Sequence, residues 1–312
     1  MRILVSGGTG FIGAHLCSRL AAEHHQVFVL TRALTRGHGL LRWTGNPQVS
    51  LVAGDLIDHP AIRSEVAKCR PEIVFHLASM RMEDAPGGDG RLILRANSEG
   101  TYNLLDACAA LPTLPRVIYT SSMCVYNYAA PSYLPVDEAH PAKPADVYGL
   151  SELMAELTCQ FFSSNKGLSC NILRLSGVFG PGKSKGVVYN CLNSALTDSV
   201  VRLHGNGIRR DFLWVTDSVE ALVLAMAAGR PGECGVYNIG SGVASSPADV
   251  AHVVERVARR RVRKEVLEDT PASEFRYDIR KAQEELGFYP HPLEEGVARY
   301  WQSLTDGKDS PQ

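Results

Sequence analysis

The residues "RILVSGGTGFIG" near the amino end constrain this chain more than any other stretch. The run at 2–7 reads as a buried strand, and a helix is expected from Phe11 to about Glu23. Between and within them stand Gly7, Gly10 and Gly13. Gly7 permits the tight turn from strand to helix. Gly10 lets backbone N–H groups approach a pyrophosphate, and Gly13 allows close packing of helix on strand. Glycines at such spacing are common by themselves. Placed directly after a strand and opening a helix, they predict a dinucleotide site that also takes in Phe11 and Ile12.

The rhythm continues through the first half of the chain. "QVFVLTR" (26–32), "VSLVAGDL" (49–56), "EIVFHLAS" (72–79), "RVIYTSS" (116–122) and "CNILRLSGVFG" (170–180) read as strands two to six. Helices are expected near 60–69, 92–110 and 148–163. In the last, Tyr148, Glu152, Leu153, Leu157 and Phe161 fall at helical spacing. Alternating strands and helices imply an α/β fold, a Rossmann-type doubly wound parallel sheet. After Gly180 the pattern loosens. "SSPADVAHVVERVARR" (245–260) predicts a helix with Ser246 as N-cap, Pro247 in its first position and Asp249 closing a capping box. The expected organisation is a dinucleotide-binding domain over 1–176, with a segment near 210–240 returning to it. A smaller C-terminal α/β substrate lobe then covers 177–312, ending in a frayed tail, "TDGKDSPQ".

Composition narrows the function classes. The chain has 312 residues, 45% hydrophobic and 21% charged, with a formal net charge of −1. That balance gives no bulk attraction to nucleic acid or to a membrane. The basic run "RRRVRK" (259–264) is diluted by Glu255, Glu265 and Glu268 and reads as a solvated helix end. Eight cysteines are scattered without CxxC pairs or zinc spacing, so no metal site is expected, and free thiols suit a reducing cytoplasm. The amino end lacks a signal-peptide pattern, and no apolar run approaches the roughly 18 residues of a membrane helix. A cytoplasmic location is the expectation.

The end of the second strand is where an acid usually bonds the adenosine ribose. Here stand Thr31 and Arg32, with Arg36 nearby, a set that admits NADP as readily as NAD. Asp55 has two readings: a bond to the adenine amino group, or a loop acid capping its own turn. Leu56, Leu77 and Ala78 complete the expected cofactor wall.

Taken together, "GGTGFIG", "GDL", "HLAS", "NSEGTYNLLDAC", "YTSSMCVY", "YGLSE", "LRLSGVFGPG", "RRDFLWVTD" and "DIRKAQEELGF" resemble the extended short-chain dehydrogenase/reductase family, the NAD-dependent nucleotide-sugar epimerases and dehydratases. The matching features run from residue 5 to about 290. The resemblance implies oxidation of a sugar carbon by bound NAD. Tyr148 matches the tyrosine that takes the hydroxyl proton, and Ser122 the residue that hydrogen-bonds the same oxygen. Arg210 and Arg276 fall at family positions for diphosphate contact, and Asn190 is a further substrate candidate. Each of these three also reads plainly as a surface residue. Lys183 and Lys185 sit in a Gly-rich loop that either covers the site or is simply exposed. A homodimer through the helices around 92–110 and 148–163 is implied, although apolar faces there could equally be buried within one chain.

Three positions depart from the family pattern. Where the family has lysine one turn after the tyrosine, the chain has Glu152. A carboxylate can still accept from ribose hydroxyls, but it raises the tyrosine pKa instead of lowering it, so Tyr148 relays a proton to Glu152 or acts as an acid. The acid pair that follows the serine in 4,6-dehydratases is here Met123 and Cys124. Cys124 reads either as a small buried hydrophobe or as a thiol that moves a proton. Gly177 replaces the usual asparagine. The combination of Tyr, Glu and Cys is similar to that of the hexosamine 5,6-dehydratases of tunicamycin biosynthesis. That similarity implies UDP-N-acetylglucosamine as substrate and an exo-glycal product, with hydride returned to C4. The expected activity is therefore that of a carbon–oxygen lyase. The alternatives are a 4-epimerase or reductase on a related nucleotide sugar, and a dinucleotide-binding protein without catalysis.

Overall fold

The computed structural model describes residues 1–32, 45–204, 207–267 and 272–306. Arg36, Glu268 and residues 307–312, which carried expectations above, lie outside the described residues. The elements in chain order begin β1 (Arg2–Ser6), α1 (Phe11–Ala22), β2 (Gln26–Thr31), β3 (Val49–Ala53), α2 (His59–Cys69), β4 (Ile73–His76), α3 (Gly90–Leu94), α4 (Gly100–Ala109), β5 (Arg116–Ser122), α5 (Val147–Lys166) and β6 (Ser169–Leu175). They continue with β7 (Gly177–Phe179), α6 (Val187–Thr197), β8 (Val201–His204), β9 (Ile208–Trp214), α7 (Val215–Leu224), β10 (Cys234–Ile239), β11 (Ala244–Ser245), α8 (Pro247–Ala258), β12 (Lys264–Leu267), β13 (Ser273–Phe275), α9 (Arg280–Leu286) and α10 (Leu293–Thr305).

Contacts divide the chain into two compact units. The first holds Met1–Asn127, Pro141–Arg174 and Val219–Tyr237. Its centre is a seven-stranded sheet in the order β10-β6-β5-β4-β1-β2-β3. The pairs β1–β2, β1–β4, β2–β3 and β4–β5 run parallel. This is a doubly wound Rossmann-type α/β sheet, reversing direction of travel between β1 and β4. The strands are short apolar runs because both faces are covered. In β1 Ile3, Leu4 and Val5 are buried, and Leu104, Leu105 and Phe162 from α4 and α5 pack into the same core as Val117 and Ile172.

The helix ends follow their capping residues. Asp58 caps α2 by accepting from the Ala61 N–H, with Pro60 in the first turn. Asp146 caps α5 by accepting from the Gly149 N–H at 2.7 Å, and Gly167 ends that helix in the left-handed region. Ser246 and Asp249 form the expected capping box on α8, with Pro247 at its start.

Two expectations are corrected. The run 170–180 is not one strand. β6 belongs to the seven-stranded sheet, while β7 pairs with β9 in a separate sheet, the break falling at Ser176. The helix near 92–110 is not continuous either. α3 passes into a π turn at Arg95–Glu99 before α4 begins. The inserted residue turns Asn97 inward, where its amide nitrogen donates to the Met80 carbonyl at 2.9 Å and its oxygen accepts from the Met80 N–H at 2.7 Å.

The second unit holds Tyr128–His140, Leu175–Ser218 and Asn238–Gln312. It combines the sheet β11-β9-β13, with β7 also on β9, and the pair β12–β8 with helices that include α6, α8 and α10. Asp211 is its buried polar knot. The carboxylate accepts from the Ser241 and Gly242 N–H groups, the Tyr277 N–H and the Ser176 and Ser241 hydroxyls. Five donors satisfy a charge that burial would otherwise make costly.

Candidate functional site

The glycine loop after β1 is built as the spacing requires. Gly7 has φ +72°, and a Cβ there would lie 2.6 Å from the Ala78 nitrogen, so no other residue fits without displacing the loop after β4. A Cβ on Gly13 would lie 2.2 Å from the Gly7 carbonyl oxygen, which is how tightly α1 sits on the turn. Gly10 is the N-cap of α1, and no side chain caps it. The positive end of a twelve-residue helix therefore meets the turn with no side chain capping it, a place suited to an anion.

A groove of about 580 Å³ opens at this turn. It is lined by Gly7 and Gly10 on one side, Thr31 and Arg32 at the end of β2, Asp55 and Leu56 after β3, and Leu77, Ala78 and Ser79 after β4. These are the carboxyl ends of strands on either side of the reversal point of the sheet, where ligands bind in such folds. The uncapped helix start and a loop with no room for side chains fit a dinucleotide pyrophosphate. Asp55 also serves its own turn, accepting from the Ile57 N–H at 3.2 Å. Asn97 holds the Met80 peptide and so fixes the edge of the groove after β4.

The four residues expected to carry chemistry converge next to this groove. Gly149 explains how. A Cβ on it would stand 2.0 Å from the Cys124 carbonyl oxygen, so only glycine lets the start of α5 press against the turn that follows β5. That contact brings Tyr148 toward the turn after Ser122, and Ser79 and Ser122 are polar groups near its hydroxyl that work against the rise burial gives its pKa. Ser122 accepts from the Cys124 N–H at 3.2 Å. Met123 occupies the first place of the same short turn, half-buried.

Glu152 lies one helical turn below Tyr148 and is 1% exposed. Its Oε1 accepts from Ser79 at 2.6 Å and its Oε2 from Tyr119 at 2.9 Å. It is buried beneath the tyrosine and engaged by protein groups on both oxygens. Burial pushes its pKa up, and the bonds from Ser79 and Tyr119 restrain the rise, leaving it at about 7. Tyr148 is raised by burial, then by Glu152 and Cys124, so it is a phenol at neutral pH. Burial raises Cys124 as well, against the bond from Ser122, so the group at rest is a thiol and not a thiolate.

Two residues in this cluster carried no signal of their own in the sequence. Ser79 is exposed to the groove at the end of "HLAS", and Tyr119 is buried three residues before Ser122. Below them Glu156 and Arg174 form a buried ion pair, with Nη2 2.6 Å and Nε 2.9 Å from the carboxylate. Ser121 donates to the same carboxylate at 2.6 Å. On the other side His76 is held by Ser6 at Nδ1 (2.6 Å) and Thr101 at Nε2 (2.8 Å), and burial pushes its pKa down to about 4.

The expected substrate residues lie in the second unit. Arg210 on β9 is half-buried, its guanidinium bonding the Ser273 hydroxyl at 3.0 Å and lying 5.6 Å from the Tyr128 ring centre. Burial lowers its pKa, and these partners are neutral, so its charge is available to an anion. β13 runs parallel to β9 with Phe275 opposite Arg210, which brings Arg276 next to that pair, and Arg276 is ion-paired with Glu274 at 3.1 Å. Asn190 is exposed on α6. Gly177 opens β7, where a Cβ would meet the Asp211 carbonyl oxygen at 3.1 Å. Among the described residues no group of three or more His, Cys, Asp and Glu could hold a metal ion, and no helix is long and apolar enough to cross a membrane.

Comparison with known proteins agrees with this geometry. The model of the NAD dependent epimerase/dehydratase family matches residues 3–240. UDP-glucose 4-epimerase of Mycolicibacterium smegmatis is 30% identical over 314 residues, covering 96% of this chain and 97% of that protein. The dTDP-glucose 4,6-dehydratase of an Actinoplanes species is 29% identical, covering 96% of each. Among solved structures, UDP-glucose 4-epimerase of Thermotoga maritima with UDP-glucose superposes with a TM-score of 0.86 at 25% identity, covering 99% of this chain and 100% of that one. MoeE5 in complex with UDP-glucose and NAD gives 0.82 at 27%, with the same coverage. A glycine loop with no side-chain cap at the sheet's reversal point, a serine ending β5 with a tyrosine opening α5 against the turn that follows it, and a family match over most of the length lead to one conclusion: the chain belongs to the NAD dependent epimerase/dehydratase family.

Proposed function

We propose that this protein is a nucleotide-sugar dehydratase that removes water across C5 and C6 of UDP-N-acetylglucosamine and leaves a 5,6-alkene. The observation that carries the reading is the chemistry around Ser122. Met123 and Cys124 stand where an acid pair would assist 4,6-dehydration, and a buried carboxyl of pKa about 7 stands beneath Tyr148. Bound NAD supplies reversible hydride acceptance at the sugar C4. The first helical turn of α1 would hold its pyrophosphate, Asp55 and Leu56 its adenine end, and Thr31 with Arg32 its adenosine ribose.

Tyr148 and Ser122 hold the C4 oxygen and manage its proton. A ketone at C4 acidifies the C5 proton. The Cys124 thiol gives its proton to the C6 hydroxyl as the C6–O bond breaks, and the resulting thiolate collects the C5 proton. Water leaves and the thiol is restored, so one residue serves both ends of the elimination. Met123 has no proton to offer at C6 and leaves the alkene undisturbed. Arg210, whose partners are neutral, and Arg276 are the groups for the diphosphate, and Asn190 is the third substrate candidate.

A second reading is a UDP-sugar 4-epimerase, favoured by the 4-epimerases among the similar proteins. Incubation with UDP-N-acetylglucosamine followed by mass spectrometry and proton NMR separates the two. The dehydratase gives a product lighter by one water with vinyl protons and no new methyl signal. Unchanged mass with inverted C4 means epimerase, and a new methyl means 4,6-dehydration.

We also propose that the protein acts as a homodimer. Leu150, Met154, Leu157 and Phe161 recur at helical spacing on α5 and are 41–55% exposed, with Tyr102 of α4 at 49%. An apolar stripe of this kind fits a second copy of the same helices.

A further inference from the structure

We propose that Ser79 is a cofactor-binding residue whose hydroxyl oxygen, made an acceptor by its bond to Glu152, takes a hydrogen bond from a hydroxyl of the nicotinamide-side ribose of NAD. The inference rests on the reading of the groove as the NAD site and names a contact within it. It holds whichever sugar reaction follows.

Ser79 stands between the groove and a buried carboxyl. It is exposed in the loop after β4 and lines the groove, while Glu152 is 1% exposed. A carboxylate only accepts, so at 2.6 Å the Ser79 hydroxyl donates to Glu152 Oε1. Tyr119 donates to Oε2 at 2.9 Å and holds the carboxylate in that orientation. A serine hydroxyl has one proton and two lone pairs. The proton is spent inward, so the oxygen meets the groove as an acceptor alone. A bond to an anion also polarises the hydroxyl and strengthens its oxygen as an acceptor.

The neighbouring groups give this wall of the groove the same polarity. The Leu77 N–H donates to the Ser6 carbonyl at 3.0 Å, and the Ala78 N–H to the Ser6 hydroxyl at 3.4 Å. The Met80 N–H donates to the Asn97 oxygen at 2.7 Å. Asn97, which also lines the groove, spends both of its amide protons: one on the Met80 carbonyl at 2.9 Å, the other on the Ser151 hydroxyl at 2.9 Å. These donors are taken within the protein, so a ligand group resting beside Ser79 is best held if it brings a proton of its own.

NAD has such a group at this place. The uncapped start of α1 suits the pyrophosphate, and Thr31, Arg32, Asp55 and Leu56 line the groove on the β2–β3 side of the reversal point. With the adenosine half on that side, the other half crosses to the side of β4. The first part of it beyond the phosphate is a ribose carrying two hydroxyls, each able to donate. Ser79 offers them the pull of a carboxylate at one remove. The full negative charge stays buried on Glu152 and away from the groove, where it would repel the pyrophosphate.

The variants Ser79→Ala and Ser79→Thr test the contact by calorimetry on the full chain at pH 8, above the value of about 7 at which Glu152 gives up its proton. The probes are NAD, ADP-ribose and ADP. The first two carry the second ribose, and ADP ends at the pyrophosphate. Ser79→Ala should bind NAD and ADP-ribose about tenfold more weakly, the loss of one hydrogen bond, and ADP within about twofold of the unmodified protein. Ser79→Thr, which keeps the hydroxyl, should stay within about threefold for all three. Unchanged NAD affinity in Ser79→Ala overturns the assignment and leaves Asp84, which also lines the groove, as the acceptor. An equal loss for ADP overturns it too, because the change has then acted on the pyrophosphate end and not on the ribose. An unmodified protein that binds neither NAD nor ADP overturns the reading of the groove itself, and the contact with it.

Discussion

Glu152 makes the stability of this protein depend on pH in a direction opposite to that of most carboxylates. Burial raises the group from its ordinary value of 4.5 to about 7. In an unfolded chain it ionises above about pH 4.5, while the folded protein keeps its proton until about 7. Below the lower value both states are protonated and there is no penalty. Between the two the folded state binds one proton more than the unfolded state, so stability falls as pH rises. Above pH 7 the full cost is reached. One pKa unit corresponds to about 1.4 kcal/mol, which puts that cost at about 3 kcal/mol. Glu152→Gln removes the titration and keeps the shape, because Ser79 and Tyr119 hydroxyls can rotate to meet an amide. Urea unfolding with saturating NAD at pH 5 and at pH 8 is the assay. The glutamine variant should match the parent to within about 1 kcal/mol at pH 5 and exceed it by about 2–3 kcal/mol at pH 8, while its turnover falls. A difference between the two proteins that stays constant from pH 5 to pH 8 refutes the argument that Glu152 is forced to ionise in a dry site.

Three further outcomes are expected. Cys124→Ala should abolish water loss while NAD binding, measured by calorimetry, stays within about twofold; the elimination chemistry alone depends on the thiol. Gly7→Ala should weaken NAD binding by at least about tenfold, because the added carbon must displace the loop carrying Leu77 and Ala78 and the strained turn costs about 1 kcal/mol or more. The double change Leu157→Glu with Phe161→Glu should convert a dimer to a monomer in sedimentation, with little loss of thermal stability, since both side chains are exposed within one chain.

Local grammar made much of the fold legible. The five parallel-paired strands and α1 follow from short apolar runs and helical spacing, and the α8 cap from Ser246, Pro247 and Asp249. Two boundaries were not legible, for different reasons. The run 170–180 is buried almost throughout, its polar Asn171, Arg174 and Ser176 included, and burial carries no mark of which sheet receives a strand. The π turn at Arg95–Glu99 keeps helical periodicity on either side, so the added residue leaves no gap in the pattern. At the site, Tyr148, Ser122 and Glu152 stood out through spacing and resemblance. Ser79 and Tyr119 did not, because their meeting with Glu152 joins residues 73 and 33 positions apart. The one available hint was that β4 and β5 are neighbours, so that the residues ending each strand face a common opening.

The π turn at Arg95–Glu99 has a further consequence, for changes in chain length. An α-helix turns about 100° per residue. Excising Arg95, Ala96, Ser98 or Glu99 would let α3 and α4 join as one regular helix with every backbone bond satisfied. The two halves would nevertheless be out of phase by that angle. If α4 kept Leu104 and Leu105 inside, Asn97 would swing off the Met80 peptide and the groove edge would lose its clasp. A deletion that leaves the helix regular would thus disarm the loop at a distance, by turning Asn97 away from Met80 without altering it.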